Sequence, residues 1–157
     1  MIKKYAGLIF SVVVLGFVLI QLIPYGRSHS NPPVLKEPTW DRPETRLLAQ
    51  RACFDCHSNE TQWLWYSNVA PMSWLVQRDV DEGRDHLNFS EWGQGEQEVD
   101  DVGETIREGE MPPSYYVLLR PQAKLSAQEK STLISGLAAS MGASGGEHEG
   151  EEDGDDD

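Results

Sequence analysis

The pattern of hydrophobic and polar positions predicts helices at both ends of the chain. Residues Tyr5–Ile23 form one apolar run without a charge. Near the other end, apolar residues between Leu133 and Met141 recur at spacings of three and four, which places them on one helix face. Ser126 and Glu129 precede that face and form a capping box, and Gly142 is expected to end the helix.

Three further helices are expected between these two. The first opens at Asp41, with Glu44 reaching back to its start, and runs into Cys53. The second is expected over Pro71–Glu82, and a weaker third lies within Glu96–Arg107. No stretch alternates apolar and polar residues as a half-buried strand does. The sequence therefore predicts an all-α fold.

The first apolar run is long enough to be interpreted as a transmembrane helix. Its 19 residues would span about 28 Å as a helix, close to the hydrocarbon thickness of a bilayer. Lys3 and Lys4 precede it, which favours an N-terminus in the cytoplasm and a following domain in the periplasm or another extracytoplasmic space. We therefore expect a single-pass anchor in the cytoplasmic membrane.

A cleaved signal peptide is the alternative interpretation of this run. Its apolar core would be shorter, about 7–15 residues, and a small-x-small cleavage site would follow. The best candidate for such a site is Ser28-His29-Ser30, which fits poorly. The sequence thus favours an uncleaved anchor.

Composition divides the chain into four segments. Residues 1–27 are expected to be a cytoplasmic stub and the anchor, and residues 28–40, with three prolines, an extended tether. Residues 41–141 are the only part that can bury a core. Residues 142–157 consist mainly of glycine and acidic residues, so we expect a disordered acidic tail there.

Charge excludes one class of partner. The chain has 13 Lys and Arg against 26 Asp and Glu, a net charge of −13. Eight acids lie in the last 13 residues, and without them the remainder carries −5. A nucleic-acid-binding protein needs a basic face, so no nucleic-acid partner is expected.

The motif that carries chemistry is Cys53-Phe54-Asp55-Cys56-His57, which contains both cysteines of the chain. Two thiols three residues apart at a helix end project to one side and can reach two neighbouring groups. In C-x-x-C-H motifs those groups are the vinyl groups of haem, and the adjacent histidine ligates the iron. The motif predicts one covalent haem c, attached at Cys53 and Cys56, with His57 as the proximal axial ligand.

Closely spaced cysteines also occur in three other kinds of site. A thioredoxin-like C-x-x-C would follow a strand and open a helix, whereas this pair closes a predicted helix. A zinc site needs four ligands, and the remaining histidines, His29, His86 and His148, are scattered. A structural disulfide would leave His57 unexplained. Haem attachment accounts for all three residues.

Met111 is the expected distal axial ligand. It stands in Gly109-Glu110-Met111-Pro112-Pro113, where two prolines stiffen the backbone and prevent a helix. Such a strap can hold a thioether beside a haem. His86 is the rival ligand. Met72 and Met141 are weaker candidates, because methionine most often fills a gap in a core. His29 is a further candidate, in the predicted tether.

These residues resemble the small haem-binding domain family of bacterial c-type cytochromes. The similarity covers about residues 38–141, and one departure is Leu64, where the family pattern has proline. The resemblance implies a compact cytochrome-c-like helical domain around one haem, with Met111 as distal ligand. The matching pieces are CFDCHSNET from Cys53, Trp63-Leu64-Trp65-Tyr66-Ser67, Val69-Ala70-Pro71, Asp79-Val80, Glu82-Gly83-Arg84, Leu87-Asn88-Phe89-Ser90-Glu91-Trp92, GEMPP from Gly109, Arg120-Pro121 and Leu125-Ser126.

The aromatic residues are expected to wall the haem and to fill a small core. A Trp or Tyr side chain can bury its ring and use its polar tip for a hydrogen bond to a haem propionate. Trp65 and Tyr66 are the candidates for such contacts.

Ligation indicates the function. If His57 and Met111 both bind the iron, no position stays open for a substrate, so we expect a membrane-tethered one-electron carrier or relay rather than an enzyme. Transient redox partner proteins are implied, and the acidic surface would steer a basic one. The alternative is a haem-based sensor or peroxidase-like protein with a displaceable distal ligand. A structural protein in which haem completes the core is a third possibility.

Overall fold

The computed structural model describes residues 2–94 and 101–145. Most of the acidic tail, residues 146–157, and residues 96–100 of the third predicted helix lie outside this part. Within the described ranges the chain forms seven α-helices and two short 3₁₀ turns, Trp65–Asn68 and Pro121–Ala123. The α-helices are α1 (Ile2–Ile20), α2 (Pro43–Ala52), α3 (Phe54–His57), α4 (Met72–His86), α5 (Val102–Glu108), α6 (Ser114–Leu119) and α7 (Ala127–Gly145).

The prediction of an all-helical fold is confirmed for the described residues. Their sole β-type pairing is an isolated bridge between Lys36 and Glu91. The helix α6 was not predicted, and α4 and α7 extend beyond their predicted ends at Glu82 and Gly142.

The predicted transmembrane helix is wrong. Across the described residues, none of the helices combines the length and the apolar character that crossing a bilayer requires. The uncharged part of α1, Tyr5–Ile20, has about 16 residues and spans about 24 Å, less than the ~30 Å of a hydrocarbon core. The single-pass localisation that depended on this helix is wrong as well.

Gln21 shows why the apolar run does not continue as one helix. Its amide donates to the carbonyl oxygens of Phe17 (3.1 Å) and Ala70 (3.0 Å), and its side-chain oxygen accepts the N–H of Ala70 at 3.0 Å. The chain therefore turns after Ile20 and is joined to the segment before α4.

The core lies between α2, α3, α7 and the segment after α4. Leu48, Phe54, Phe89, Leu133 and Leu137 are buried there. The rings of Phe54 and Phe89 stack with centroids 5.6 Å apart. Burial of these side chains packs the motif helix α3 against α2, near the start of the domain, and α7, at its end.

The first turn of α7 carries the predicted capping box. The Ser126 N–H donates to Glu129 Oε2 at 2.8 Å, and the Glu129 N–H donates to Ser126 Oγ at 3.2 Å. Arg51 of α2 also donates to Glu129, at 2.6 Å. The same carboxylate thus caps α7 and ties it to α2.

The capping box predicted at the start of α2, between Asp41 and Glu44, does not form. The helix begins at Pro43, and the preceding Arg42 makes no side-chain cap. Asp41 instead accepts hydrogen bonds from the Thr45 hydroxyl (2.6 Å) and from Arg42 Nε (2.7 Å).

The segment 28–40, predicted as an extended tether, contains no helical turn and is hydrogen-bonded to the domain. Asn31 donates to the Thr61 carbonyl at 2.9 Å, and the Lys36 N–H donates to the Ser90 carbonyl at 3.1 Å. The Lys36 carbonyl accepts the Trp92 N–H at 3.0 Å. This segment therefore lies along the domain, beside the loop that follows α4.

Candidate functional site

A cavity of about 410 Å³ lies between the motif and helices α4 to α7. Its volume is within the range of ~300–1,000 Å³ that is usual for ligand and cofactor sites. The walls are mainly apolar. Their apolar residues include Ala52, Leu87, Phe89, Val102, Ile106, Leu125, Leu133 and Leu137.

The motif places three candidate residues on this cavity. Cys53 ends α2, and its carbonyl accepts the N–H groups of Cys56 (3.1 Å) and His57 (2.9 Å). This single tight turn brings both thiols and the imidazole to the cavity wall. Local hydrogen bonding therefore produces the arrangement that the C-x-x-C-H spacing predicts.

Both cysteines are free thiols and partly buried. Burial raises the pKa of Cys53 to about 12. Burial also raises the pKa of Cys56 to about 12, with a smaller contribution from the carboxylates of Asp79 and Asp55. Both thiols are therefore protonated at neutral pH, unlike the low-pKa cysteine of a thioredoxin-type motif.

The zinc interpretation has no support in the described residues. No three of their His, Cys, Asp and Glu side chains are grouped so that they could share a metal ion. The two thiols and His57 lack the further protein ligands that a structural zinc site needs.

His57 is held in one orientation. Its Nδ1 lies 3.1 Å from the Leu87 carbonyl oxygen, and because that oxygen can only accept, Nδ1 carries the proton. Burial lowers the pKa of His57, so the ring is neutral. Nε2 then keeps a free lone pair, which is the state that a metal-ligating histidine requires.

Met111 lines the same cavity from the strap between α5 and α6, which we define as residues 109–113. Gly109 ends α5 with a positive φ of 84°, a conformation that glycine adopts without strain. The Thr105 carbonyl accepts the N–H groups of Gly109 (3.2 Å), Glu110 (3.0 Å) and Met111 (3.2 Å). The first part of the strap is therefore fixed to α5.

The structure separates the remaining candidate ligands. His86, at the end of α4, is exposed and also lines the cavity. Met72 and Met141 are absent from the cavity walls, and Met141 packs against the core. His29 stacks on Trp63 at 4.7 Å, and its ring nitrogen lies 3.0 Å from the Ser67 carbonyl. Only Met111 and His86 of these candidates share the cavity with His57.

The cavity lining includes three acidic side chains. Asp79, Glu82 and Asp101 face the cavity, and no Lys or Arg of the described chain lines it. Burial raises the pKa of Asp79, whose carboxylate accepts the Tyr115 hydroxyl at 3.0 Å.

The predicted aromatic contacts lie elsewhere. Trp65 is 79% exposed and does not reach the cavity, and Tyr66 lines a smaller neighbouring one. Sequence reasoning missed Phe89, Tyr115 and Tyr116, which do line it. Their place in the sequence could have indicated the two tyrosines, because Tyr115 and Tyr116 follow the Met111 strap almost directly.

The residues present fit a haem. A neutral, oriented imidazole faces an apolar cavity that also contains two adjacent thiols and a methionine thioether. The imidazole and the thioether are ligands that haem iron accepts, and the two thiols are groups that can bond to the haem vinyl groups.

Comparison with known proteins supports this interpretation. A model of the haem-binding domain family matches residues 15–139, well over half of the chain. No curated protein and no solved structure matches the chain. The chain belongs to the haem-binding domain family.

Proposed function

We propose that the chain is a single-haem c-type cytochrome and acts as a one-electron carrier or relay. Cys53 and Cys56 would hold the haem through thioethers, and His57 and Met111 would be its axial ligands. The observation that supports this most strongly is the shared cavity. Met111 lies far from the motif in sequence, yet it lines the same apolar-walled space as both thiols and His57.

Attachment needs no further reagent. Each thiol would add its S–H across the carbon–carbon double bond of a haem vinyl group, so that one S–C bond would form and the hydrogen would go to the neighbouring carbon. The two thiols themselves would supply both hydrogens, so the addition needs no oxidant or reductant.

When bound, haem supplies a one-electron redox centre. The protein residues would determine how it is used. His57 and Met111 would occupy both axial positions and leave none for a substrate. Methionine ligation raises the reduction potential relative to a bis-histidine site, and the apolar walls add to this by excluding water.

The expected partners are redox proteins with a basic face. The cavity is lined by three acids, and the chain carries a net charge of −13. Opposite charge would accelerate a transient encounter without requiring tight binding.

The test uses the haem-loaded full chain and compares wild type, Met111→Ala and His86→Ala, with Met72→Ala as the control outside the cavity. We expect a methionine-to-ferric-iron charge-transfer band in wild type that only Met111→Ala removes. We also expect wild type to bind carbon monoxide only weakly, because Met111 must first leave the iron. A wild type without the band, whose haem spectrum changes in His86→Ala but not in Met111→Ala, would assign the distal position to His86.

A haem-based sensor or peroxidase-like protein is the second candidate. Besides Met111, the exposed His86 also lines the cavity, so a histidine would face the same space if Met111 were displaced. Ready binding of carbon monoxide by wild type would favour this function over electron transfer.

A further inference from the structure

The strap that carries Met111 is anchored at both ends. At its start, the Thr105 carbonyl accepts three successive N–H groups. At its end, Pro113 leads directly into α6, and the Pro113 carbonyl accepts the Val117 N–H at 3.0 Å. Because proline fixes φ, Pro112 and Pro113 couple the position of Met111 to that of α6.

Tyr116 connects α6 to the haem-binding motif. Its hydroxyl donates to Asp55 Oδ2 at 2.8 Å, across 61 positions of sequence. Asp55 lies within the motif, immediately before Cys56. One hydrogen bond thus joins the helix after the strap to the residues that would attach the haem.

The Asp55 carboxylate is held by two further donors. Arg120, only 8% exposed, lies with Nη2 2.7 Å from Asp55 Oδ2, and the Gln62 N–H donates to Oδ1 at 2.9 Å. Charge-assisted hydrogen bonds are stronger than neutral ones, and they strengthen further away from water. Tyr116 therefore binds a carboxylate that is already fixed.

Building on the proposed function, we propose that Tyr116 and Asp55 form a latch that keeps the strap closed and Met111 on the iron. Tyr116 is then a positioning residue, which acts through α6 and the strap. The latch decides whether a small external ligand such as carbon monoxide reaches the distal position. Without it, the population with Met111 displaced increases.

The experiment measures carbon monoxide affinity, the methionine charge-transfer band and thermal unfolding on haem-loaded full chain. The variants are Tyr116→Phe, Asp55→Ala, Asp55→Asn and the Tyr116→Phe/Asp55→Ala pair. Arg51→Gln is the matched control, since it breaks the 2.6 Å contact between α2 and α7 without touching the strap.

We expect carbon monoxide affinity to rise about tenfold in Tyr116→Phe, because one hydrogen bond to a charged group shifts an equilibrium by about that factor. Asp55→Ala should show a similar rise, and the pair no more than either single variant. Asp55→Asn should recover part of the wild-type value, because its amide oxygen still accepts from Tyr116. Arg51→Gln should keep the wild-type affinity.

The outcomes separate the two proposals. A wild type without the charge-transfer band overturns the His57–Met111 ligation, and the latch with it. A wild type that has the band, but whose Tyr116→Phe variant binds carbon monoxide as wild type does, overturns the latch alone. An equal rise in Arg51→Gln also overturns it, since general destabilisation would then explain the effect. If the Asp55 variants fail to incorporate haem, the comparison of Tyr116→Phe with wild type and Arg51→Gln is sufficient to decide.

Discussion

Gly83 of α4 lies directly against the backbone of Cys56. A β-carbon at position 83 would be 2.7 Å from the Cys56 carbonyl oxygen, closer than real side chains approach, and 3.0 Å from its carbonyl carbon. Four residues later, the Leu87 carbonyl fixes the His57 ring. The end of α4 therefore sets both the position of the motif and the orientation of its histidine.

Gly83→Ala should destabilise the domain by about 1–3 kcal/mol, because overpacking against backbone forces α4 and the motif apart. Denaturant unfolding and haem content both measure this. Gly103→Ala in α5 is the control, since a β-carbon there meets only Ile134 Cγ2 at 3.3 Å. Its unfolding free energy should stay within about 1 kcal/mol of wild type. Equal effects of the two substitutions would contradict the close packing of α4 on the motif.

The fold should depend on the attachment of haem. The cavity of about 410 Å³ lies inside a small helical domain, and an empty space of that size removes much of the burial that holds the helices together. Cys53→Ser/Cys56→Ser should lose covalent haem and show lower helicity and an earlier thermal transition by circular dichroism. A helical, stable and haem-free double variant would show that the fold does not need the group.

Acid should weaken one specific ion pair. Arg46 donates to both Glu37 oxygens, at 2.7 and 2.6 Å, and these hydrogen bonds lower the pKa of Glu37, with help from Trp40. A lowered folded pKa means that Glu37 stabilises the fold above its unfolded pKa of about 4.3. That stabilisation is lost as the pH falls through the folded pKa.

The measurement is urea unfolding of wild type and Glu37→Gln between pH 7 and pH 3. We expect a difference on the order of 1 kcal/mol at neutral pH that disappears at the acid end. Arg78→Gln is the control, because the Arg78–Glu82 pair is exposed and should contribute close to nothing. A Glu37→Gln difference that grows towards low pH would have the wrong sign for this account.

Electron transfer should depend on the charge of the partner. Because the cavity lining is acidic and the chain carries −13, small cationic oxidants should react faster than anionic ones with the reduced protein. Stopped-flow rates at increasing ionic strength test this, since screening should bring the two rates together. Rates that are equal at low salt would argue against electrostatic steering.

Local features of the fold could be predicted from the sequence. The Ser126–Glu129 capping box forms as expected, because its partners are three residues apart. The turn from Cys53 to His57 depends on hydrogen bonds between residues three and four positions apart, and it places the motif at a helix end as the local pattern indicates.

Long-range relationships could not be predicted. The contact between Asp55 and Tyr116 and the packing of Gly83 on Cys56 join distant segments, and no local pattern marks them. The apolar run at the N-terminus was over-interpreted, because hydropathy does not show that Gln21 leaves the helix to bond with Ala70. Trp65 is predicted to contact a haem propionate through its polar tip, and the structure places it on the surface, outside the cavity lining.

The most direct test of the account is whether haem stays on the polypeptide after denaturation. The full chain, produced in a host that matures c-type cytochromes, would be denatured, extracted with acidified organic solvent and weighed by intact-mass spectrometry. We predict one haem per chain that resists extraction in wild type and is absent from Cys53→Ser/Cys56→Ser. A wild-type chain at its bare polypeptide mass, with all haem in the solvent, would contradict covalent attachment at Cys53 and Cys56.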